Sequence, residues 1–245
     1  MAMSTRKRAD LLLVERGLFE SRTQAQAAIA AGQVTANDEP VRKPSDALAV
    51  DCVLRAAPAH PWVSRGGVKL AAALDHFGFA VEGRSGLDLG ASTGGFTEVL
   101  LARGARRVYA VDVGHGQLDW KIRCDPRVIV LEKLNARFLS PAHIRELVDL
   151  CVIDVSFISL TLILPNAFEL ITPSGVILAL IKPQFELERA DVGRGGIVRN
   201  PELHQKAQDK IVQFVTRLGH IVTGIVPSAI TGADGNQEFF ACMRK

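Results

Sequence analysis

The sequence predicts an α/β protein in which a doubly wound, mainly parallel sheet with an antiparallel terminal hairpin follows a small α+β module. From residue 64 onward, helical patterns alternate with short apolar runs, which is typical of a parallel sheet covered by helices. The last two apolar runs are separated only by the segment ITGADGN, which favours an antiparallel pair at the sheet edge. We predict the module at 1–59, a linker at 60–63 and the α/β domain at 64–245.

The module is predicted to contain two short helices and several strands. The run RADLLLVERGLF places its apolar residues near helical spacing, and Gly17 favours an end to this helix. Ser21 occupies an N-cap position before RTQAQAAIAAG, a second helix that Gly32 ends. The strand-like runs QVTAN and AVDCVLRA follow, with a turn at 37–40 between them.

The linker and the large domain continue the pattern. Two prolines in AAPAHPWV favour an extended path, and we expect the ring of Trp62 to pack between the domains. The strand-like runs of the large domain are, in chain order, GLDLG, RRVYAVDVG, DLCVIDV, GVILALIKP, IVTGIVPSAI and QEFFACMR.

Composition and charge exclude several classes of protein. The net charge of +3 permits a nucleic-acid partner but is too small to indicate one. The four cysteines form no CxxC pair and the six histidines lack metal-ligand spacing, which predicts free thiols and no metal site. We expect a cytoplasmic protein without a membrane, because no window reaches the roughly 18 apolar residues of a membrane span and no signal-peptide core is present.

A glycine-rich turn, LDLGASTGGFT at residues 87–97, follows the first strand of the large domain. Open α/β sheets bind nucleotides at this switch point, where glycines let the backbone approach a ligand and the next helix offers free N–H groups. No Gly-Lys followed by Ser or Thr is present, which argues against a nucleoside triphosphate. Asp112 ends the next strand, where a carboxylate can accept the ribose hydroxyls of NAD or of S-adenosylmethionine alike.

Three features favour S-adenosylmethionine over a dinucleotide. Asp88 lies two residues before Gly90, and its carboxylate can hold the methionine ammonium directly or through water. Ser92 stands where the dinucleotide fingerprint has glycine. The terminal hairpin is typical of the methyltransferase variant of this fold. The sequence therefore predicts a Rossmann-like class I methyltransferase domain whose cofactor residues are Asp88, Gly90, Ala91, Ser92, Thr93, Gly94, Gly95, Asp112, Asn135 and Phe157. For Phe157, packing in the core is an equal alternative.

The residues near the site also bear on which atom is methylated. Amine methyltransferases usually carry a proline pair where this chain has Asp154-Val-Ser-Phe157. Cys151 lies inside an apolar strand, where we expect a core residue and not an attacking nucleophile. Four other side chains fall at the carboxyl edge of the predicted sheet, with Lys69 in the first turn of its helix. This tetrad consists of Lys69, Asp154, Lys182 and Glu238, and structural ion pairs remain an alternative for any one of them.

Several motifs resemble known families. The tetrad resembles that of ribose 2′-O-methyltransferases of the FtsJ/RrmJ type. Arg8 and Asp10 in the first helix, Ser21 and Arg22 in the second, and IAAGQV after it resemble the RNA-binding domain of ribosomal small-subunit protein four. With VSRGGVKL, LDLGASTGGFT, DVSFISL, IKPQFE and GNQEFF in order, the whole chain is similar to the TlyA family of ribosomal RNA methyltransferases, some of which are labelled hemolysins. The linker departs from the Arg-x-Trp-Val form of some relatives.

The resemblance implies S-adenosylmethionine-dependent transfer to a ribose 2′-hydroxyl, with a cytidine of ribosomal RNA or of ribosomal subunits as the substrate. Lys182 would be the base or the partner of the oxyanion, oriented by the rest of the tetrad. The RNA-contacting residues would be Arg8, Arg22, Lys43, Arg65 and Arg194, with Arg189 and Arg199 beside the last. Solvated surface charge is an alternative for each. A membrane-active hemolysin-like protein and a catalytically silent RNA-binding protein are the alternative functions.

Overall fold

The computed structural model describes residues 5–245, which divide into two compact units, an N-terminal unit at 5–61 and a C-terminal unit at Trp62–Lys245. Residues 1–4, with which the predicted module begins, lie outside the described residues. The N-terminal unit contains two helices and two small antiparallel sheets. Its elements are β1 (Arg6–Arg8), α1 (Ala9–Glu15), α2 (Arg22–Ala30), β2 (Val34–Ala36), β3 (Glu39–Pro40), β4 (Ala47–Ala49) and β5 (Leu54–Ala56).

A small apolar core holds the N-terminal unit together. Leu13 of α1 and Ile29 of α2 pack in this core with Val34 of β2, and all three side chains are buried. The hydroxyl of Ser21 accepts a hydrogen bond from the backbone N–H of Gln24 at 3.3 Å, so the predicted N-cap is confirmed.

Three details of the predicted module are wrong. The start of the run RADLLLVERGLF is not helical, because Arg6–Arg8 forms β1 and pairs with β4. The run AVDCVLRA is not one strand, since β4 and β5 lie in different sheets. The turn is shorter than predicted: Asn37 and Asp38 have positive φ angles, and the two residues after them already pair with β2.

The C-terminal unit is a seven-stranded sheet with helices on both faces. Its helices are α3 (Arg65–Phe77), α4 (Gly95–Ala102), α5 (Trp120–Arg123), α6 (Leu164–Leu170), α7 (Pro183–Glu186) and α8 (Pro201–Arg217). Its strands are β6 (Ser85–Leu89), β7 (Arg107–Val111), β8 (Val128–Leu131), β9 (Val148–Ile153), β10 (Ile171–Ile181), β11 (Ile221–Pro227) and β12 (Phe239–Arg244).

The strand order is β11-β12-β10-β9-β6-β7-β8, with β12 antiparallel to both of its neighbours. The predicted parallel sheet and its antiparallel terminal hairpin are therefore confirmed. The edge strand β8 was missed by the sequence analysis. The order of strands reverses at β6, between β7 and β9, and the glycine-rich turn follows β6 at this switch point.

Apolar side chains cover both faces of the sheet. Tyr109, Cys151 and Phe168 belong to one buried cluster, whereas Leu178 and Phe240 belong to the other. Strands that are buried on both faces read as continuous apolar runs, which is why periodicity located most of them. Within residues 5–245, no helix combines the length and the apolar character needed to cross a bilayer.

The ring of Trp62 packs inside the C-terminal unit. It lies against the start of α3, where a Cβ atom on Gly67 would collide with the indole ring. The backbone N–H of Val63 donates to the Glu98 carboxylate of α4 at 2.6 Å. This end of the predicted linker is therefore an integral part of the sheet domain.

Candidate active site

Three members of the tetrad lie at one end of adjacent strands. Asp154 directly follows β9 and Lys182 directly follows β10, which run parallel. Ile181 is the register partner of Phe239 in the antiparallel pair of β10 and β12. Lys182 follows Ile181 and Glu238 precedes Phe239. Both residues therefore lie at the same end of this pair of strands.

The tetrad forms two ion pairs. The Nζ atom of Lys69 lies 2.5 Å from Oε2 of Glu238, and the Nζ atom of Lys182 lies 2.6 Å from Oδ1 of Asp154. Both lysines and Glu238 are buried, and Asp154 is partly exposed. Lys182 also donates to Oγ of Ser156 at 3.0 Å, a contact that the sequence analysis missed. The structure thus brings all four predicted side chains to one edge of the sheet as two pairs.

The position of Lys69 differs from the prediction. Helix α3 begins at Arg65, so Lys69 is its fifth residue and not part of the first turn. Lys69 is buried together with Leu70 and Leu74 of the same helix. A buried lysine needs a counter-charge, which Glu238 supplies.

The glycine-rich turn packs directly against Asp154, which follows β9. Gly90 has a φ of +88°, and a Cβ atom there would collide with the backbone carbonyl oxygen of Asp154. Ser92 has a φ of +48°, and its backbone N–H donates to Oδ2 of Asp112 at 2.8 Å. The other oxygen of Asp112 accepts the N–H of Gly114 at 2.6 Å. The turn and the predicted ribose-binding carboxylate therefore form one connected unit.

Asp88 is the fully buried acid behind this turn. One of its oxygens accepts a hydrogen bond from the Thr97 hydroxyl at 2.7 Å, and the other has no hydrogen-bond partner among residues 5–245. Burial raises the pKa of Asp88 to about 7, and the negative charges of Asp154 and Asp112 add to the rise while Thr97 opposes it. A buried carboxylate oxygen without a donor fits a cationic ligand group.

These residues fit S-adenosylmethionine. The free oxygen of Asp88 suits the ammonium group, directly or through water, and Asp112 retains lone pairs for ribose hydroxyls. Because Gly90 lacks a side chain, the turn can lie against the backbone of Asp154. Among residues 5–245, no group of three or more metal-ligating side chains lies together.

Two further predicted cofactor residues have specific local surroundings. Asn135 caps a short helical turn, since its side-chain oxygen accepts the backbone N–H of Arg137 at 3.0 Å. Phe157 is 89% exposed and has a φ of +63°, an unusual value for an aromatic residue. Its ring lies 5.1 Å from that of Phe185. Packing of Phe157 in the core, one of the two predicted alternatives, is therefore wrong.

Cys151 is a core residue, as predicted. It is fully buried in β9, and burial together with the charge of Asp88 raises the pKa of its thiol. A thiol that is buried and resists ionisation is a poor nucleophile.

The predicted RNA-contacting residues fall into two groups. In the N-terminal unit, Arg8 and Arg22 both contact the carboxylate of Asp10, and the loop that carries Lys43 is hydrogen-bonded to the start of α1. In the C-terminal unit, Arg65 is exposed and donates to the backbone carbonyl of Thr231 at 2.7 Å. Three further arginines lie between α7 and α8 and are exposed: Arg189, Arg194 and Arg199.

Comparison with known proteins decides the family. A family model described as FtsJ-like methyltransferase matches residues 62–245, and one described as S4 domain matches residues 7–51. The protein named 16S/23S rRNA (cytidine-2'-O)-methyltransferase TlyA of Mycobacterium tuberculosis is 46% identical over 244 residues, which cover 99% of this chain and 91% of that protein. The chain belongs to the TlyA family of FtsJ-like methyltransferases.

Other members of the TlyA family carry a different name. Hemolysin A of Brachyspira hyodysenteriae is 40% identical over 235 residues, which cover 96% of this chain and 98% of that protein. The solved structure of a candidate hemolysin from Streptococcus thermophilus has a TM-score of 0.77 and 42% identity, and the match covers 99% of this chain and 90% of that one. The resemblance drawn from the motifs is confirmed. In this TlyA-family chain, the tetrad and the glycine-rich turn lie in the methyltransferase domain, and Arg8, Arg22 and Lys43 lie in the S4 domain.

Proposed function

We propose that this protein transfers a methyl group from S-adenosylmethionine to a ribose 2′-hydroxyl of ribosomal RNA. The observation that carries the proposal is the pair of buried lysine–carboxylate contacts beside the glycine-rich turn. A hydroxyl is a poor nucleophile until its proton leaves or its developing charge is stabilised, and a cationic side chain at the sheet edge meets that need. The segment after β9 carries no amine-type proline pair, and Cys151 of that strand is buried with a thiol whose pKa is raised.

Bound S-adenosylmethionine would supply an already activated methyl group. The reaction joins the ribose oxygen to the methyl carbon, breaks the carbon–sulfur bond and releases the hydroxyl proton to solvent water. The chain's own residues must therefore orient the ribose and handle the charge on its oxygen. Asp88 and Asp112 would fix the donor, whereas the tetrad would act on the acceptor.

Lys182 is the residue we assign to the ribose oxygen. Its Nζ atom is held by Asp154 and by the Ser156 hydroxyl, so its direction is fixed before substrate arrives. An ammonium held by a carboxylate is a hydrogen-bond donor. Lys182 would therefore donate to the 2′-oxygen and stabilise the negative charge that develops as the proton leaves. Lys69 and Glu238 would position the ribose and shield Lys182 from water.

The RNA substrate is proposed from the S4 domain and from the name of the Mycobacterium tuberculosis relative. That name also supports cytidine as the modified nucleoside. An enzyme with this substrate would act in the cytoplasm, where ribosomal subunits are found.

The test is transfer of tritiated methyl groups to purified ribosomal subunits and to naked ribosomal RNA. We expect label on ribose 2′-oxygen with the wild-type protein, and a loss of about 10²-fold to 10⁴-fold in rate with Lys182→Ala. Cofactor affinity should remain nearly unchanged, because Lys182 contacts none of the predicted donor-binding carboxylates. Lys206→Ala is the matched control, since Lys206 is an exposed lysine of α8 that forms an ion pair with Asp191.

Two results would contradict the proposal. Normal turnover in Lys182→Ala would remove Lys182 from the chemistry. Tight cofactor binding without label on either substrate, or with label on a base, would reject ribose methylation and favour a silent RNA-binding protein or another acceptor atom.

A further inference from the structure

A buried carboxylate organises the basic surface of the N-terminal unit. Asp10 is fully buried, and five hydrogen bonds converge on its two oxygens. Oδ1 accepts from Nε of Arg8 and from the backbone N–H of Leu11, each at 3.0 Å. Oδ2 accepts from Nη2 of Arg8 at 3.0 Å, from Nη2 of Arg22 at 3.1 Å and from Nε2 of Gln26 at 2.8 Å.

This network fixes two flexible side chains that come from different elements. Arg8 ends β1 and Arg22 begins α2, and each would otherwise sample many rotamers. The fork of Arg8 holds both oxygens of Asp10, which sets the plane of its guanidinium group. The Arg8 hydrogen bonds hold the pKa of Asp10 well below its usual range in spite of burial, so the carboxylate stays ionised at any physiological pH.

The outer edges of both arginines remain available. Side-chain exposure is 46% for Arg8 and 55% for Arg22. Within the part of the chain that the structure describes, Nη1 of Arg8 and both Nε and Nη1 of Arg22 have no hydrogen-bond acceptor. Asp10 thus binds one edge of each guanidinium group and leaves the other edge for a ligand.

The loop that carries Lys43 is anchored to the same place. The carbonyl oxygens of Pro44 and Asp46 accept the backbone N–H groups of Asp10 and Ala9, at 3.2 and 2.8 Å. The Asp46 carboxylate in turn accepts the N–H of Lys43 at 2.9 Å. The backbone around Asp10 therefore fixes the position of this loop beside the two arginines.

We infer that Asp10 is a positioning residue that builds a phosphate-binding site for RNA from Arg8 and Arg22, with Lys43 at its rim. The inference rests on the proposed function, which supplies RNA as the ligand. A guanidinium pair with fixed planes matches the oxygens of a phosphate, and each fixed side chain saves the ordering cost that binding would otherwise incur.

The inference makes a prediction opposite in sign to simple electrostatics. Removal of an acid from a basic surface strengthens binding to a polyanion when charge alone matters. If Asp10 instead positions the arginines, its removal must weaken binding in spite of the more favourable charge. Glu15 provides the matched control, because it is an exposed acid of the same unit whose ion pair, among residues 5–245, is with Lys7.

The experiment measures the dissociation constants of wild type, Asp10→Asn and Glu15→Gln with purified ribosomal subunits, over a range of salt concentrations. We expect Asp10→Asn to weaken binding by about tenfold or more. Glu15→Gln should bind as wild type or slightly more tightly. In methyl transfer, the effect of Asp10→Asn should appear in KM. Equal dissociation constants for Asp10→Asn and Glu15→Gln would overturn the inference.

Two further variants keep the test decisive if Asp10→Asn unfolds the unit. Arg8→Lys and Arg22→Lys retain the charge and lose the planar fork, and both positions are half-exposed. Each should weaken binding severalfold, and wild-type affinity in both would overturn the inference. Wild-type protein that neither binds nor labels subunits would instead reject the proposed function, so the two failures are distinguishable.

Discussion

Asp10 and Asp88 are both fully buried aspartates, one in each unit, and their pKa values shift in opposite directions. Five donors surround Asp10, and its pKa falls. Asp88 has a single side-chain donor, Thr97, and burial raises its pKa to about 7. The comparison shows that burial alone does not determine the state of a carboxylate, since hydrogen bonds and the sign of the neighbouring charges decide whether its charge is stabilised.

The difference separates two kinds of site. The surroundings of Asp10 are complete without a ligand, so this residue serves by holding its neighbours in place. Among the described residues, one oxygen of Asp88 has no donor, so a bound molecule can supply it, directly or through water. A complete buried acid therefore indicates a positioning role, and an incomplete one indicates a binding role.

The largest expected effect comes from closing the turn beside Asp88. Gly90→Ala would force a side chain into the Asp154 carbonyl and strain a φ of +88°. We expect cofactor affinity to fall by about 100-fold or more, at a cost of roughly 3 kcal/mol or above from clash and strain together. Isothermal titration with S-adenosylmethionine measures the loss.

Gly83→Ala is the control for this variant. Gly83 has a similar φ of +71°, but its Cβ atom would meet open space. It should cost stability without a change in cofactor affinity. Equal affinity in Gly90→Ala and wild type would show that the turn does not form the donor site.

The next largest effect concerns the two acids themselves. It is measured as the free energy of unfolding without ligand at pH 8. Asp10→Asn should lower the free energy of unfolding of the N-terminal unit by about 2 kcal/mol, the scale of hydrogen bonds to a charged group. Asp88→Asn should be neutral or stabilising for the C-terminal unit, because it removes a buried charge that lacks a partner.

Each unit has its own probe. The two tryptophans, Trp62 and Trp120, belong to the C-terminal unit, so their fluorescence in urea reports its unfolding. Hydrogen exchange of the α2 amides reports the N-terminal unit. If Asp10→Asn and Asp88→Asn both lowered the free energy of unfolding, Asp88 would be a structural acid like Asp10.

The smallest effect is a pH dependence. Because the folded pKa of Asp88 lies above its unfolded value, the group stabilises the fold at acidic pH, and this contribution is lost as pH rises from about 4 to about 7. An ammonium ligand prefers the ionised form, so cofactor affinity should increase by about tenfold between pH 6 and pH 8. Asp88→Asn should abolish this increase, and an unchanged slope in that variant would contradict the assignment.

Apolar periodicity predicted those parts of the fold that depend on local sequence pattern. The parallel strands are continuous apolar runs, and the polar residues that directly follow them had to lie at one edge, which placed Asp154 and Lys182 before the structure was known. The edge strand β8 is also an apolar run, but with four residues it is shorter than the other parallel strands, and the sequence analysis did not recognise it.

Long-range contacts account for the misses. The strand β1 consists of charged residues and exists only because β4 pairs with it from a distant part of the chain. The contact of Ser156 with Lys182 and the exposure of Phe157 depend on how a loop is packed, which no local pattern reports. The five bonds of Asp10 join three segments, so its sequence position alone reads as an ordinary first-turn acid.

The place of β12 in the sheet has a consequence for the order in which the protein matures during synthesis. This strand is the last in the chain, yet it inserts between β10 and β11 and brings Glu238 to Lys69. A growing chain folds from its N-terminal domain onward, so the S4 domain is complete while the place of β12 between β10 and β11 is still empty. The proposed RNA-binding unit of the nascent protein therefore forms before its tetrad is whole.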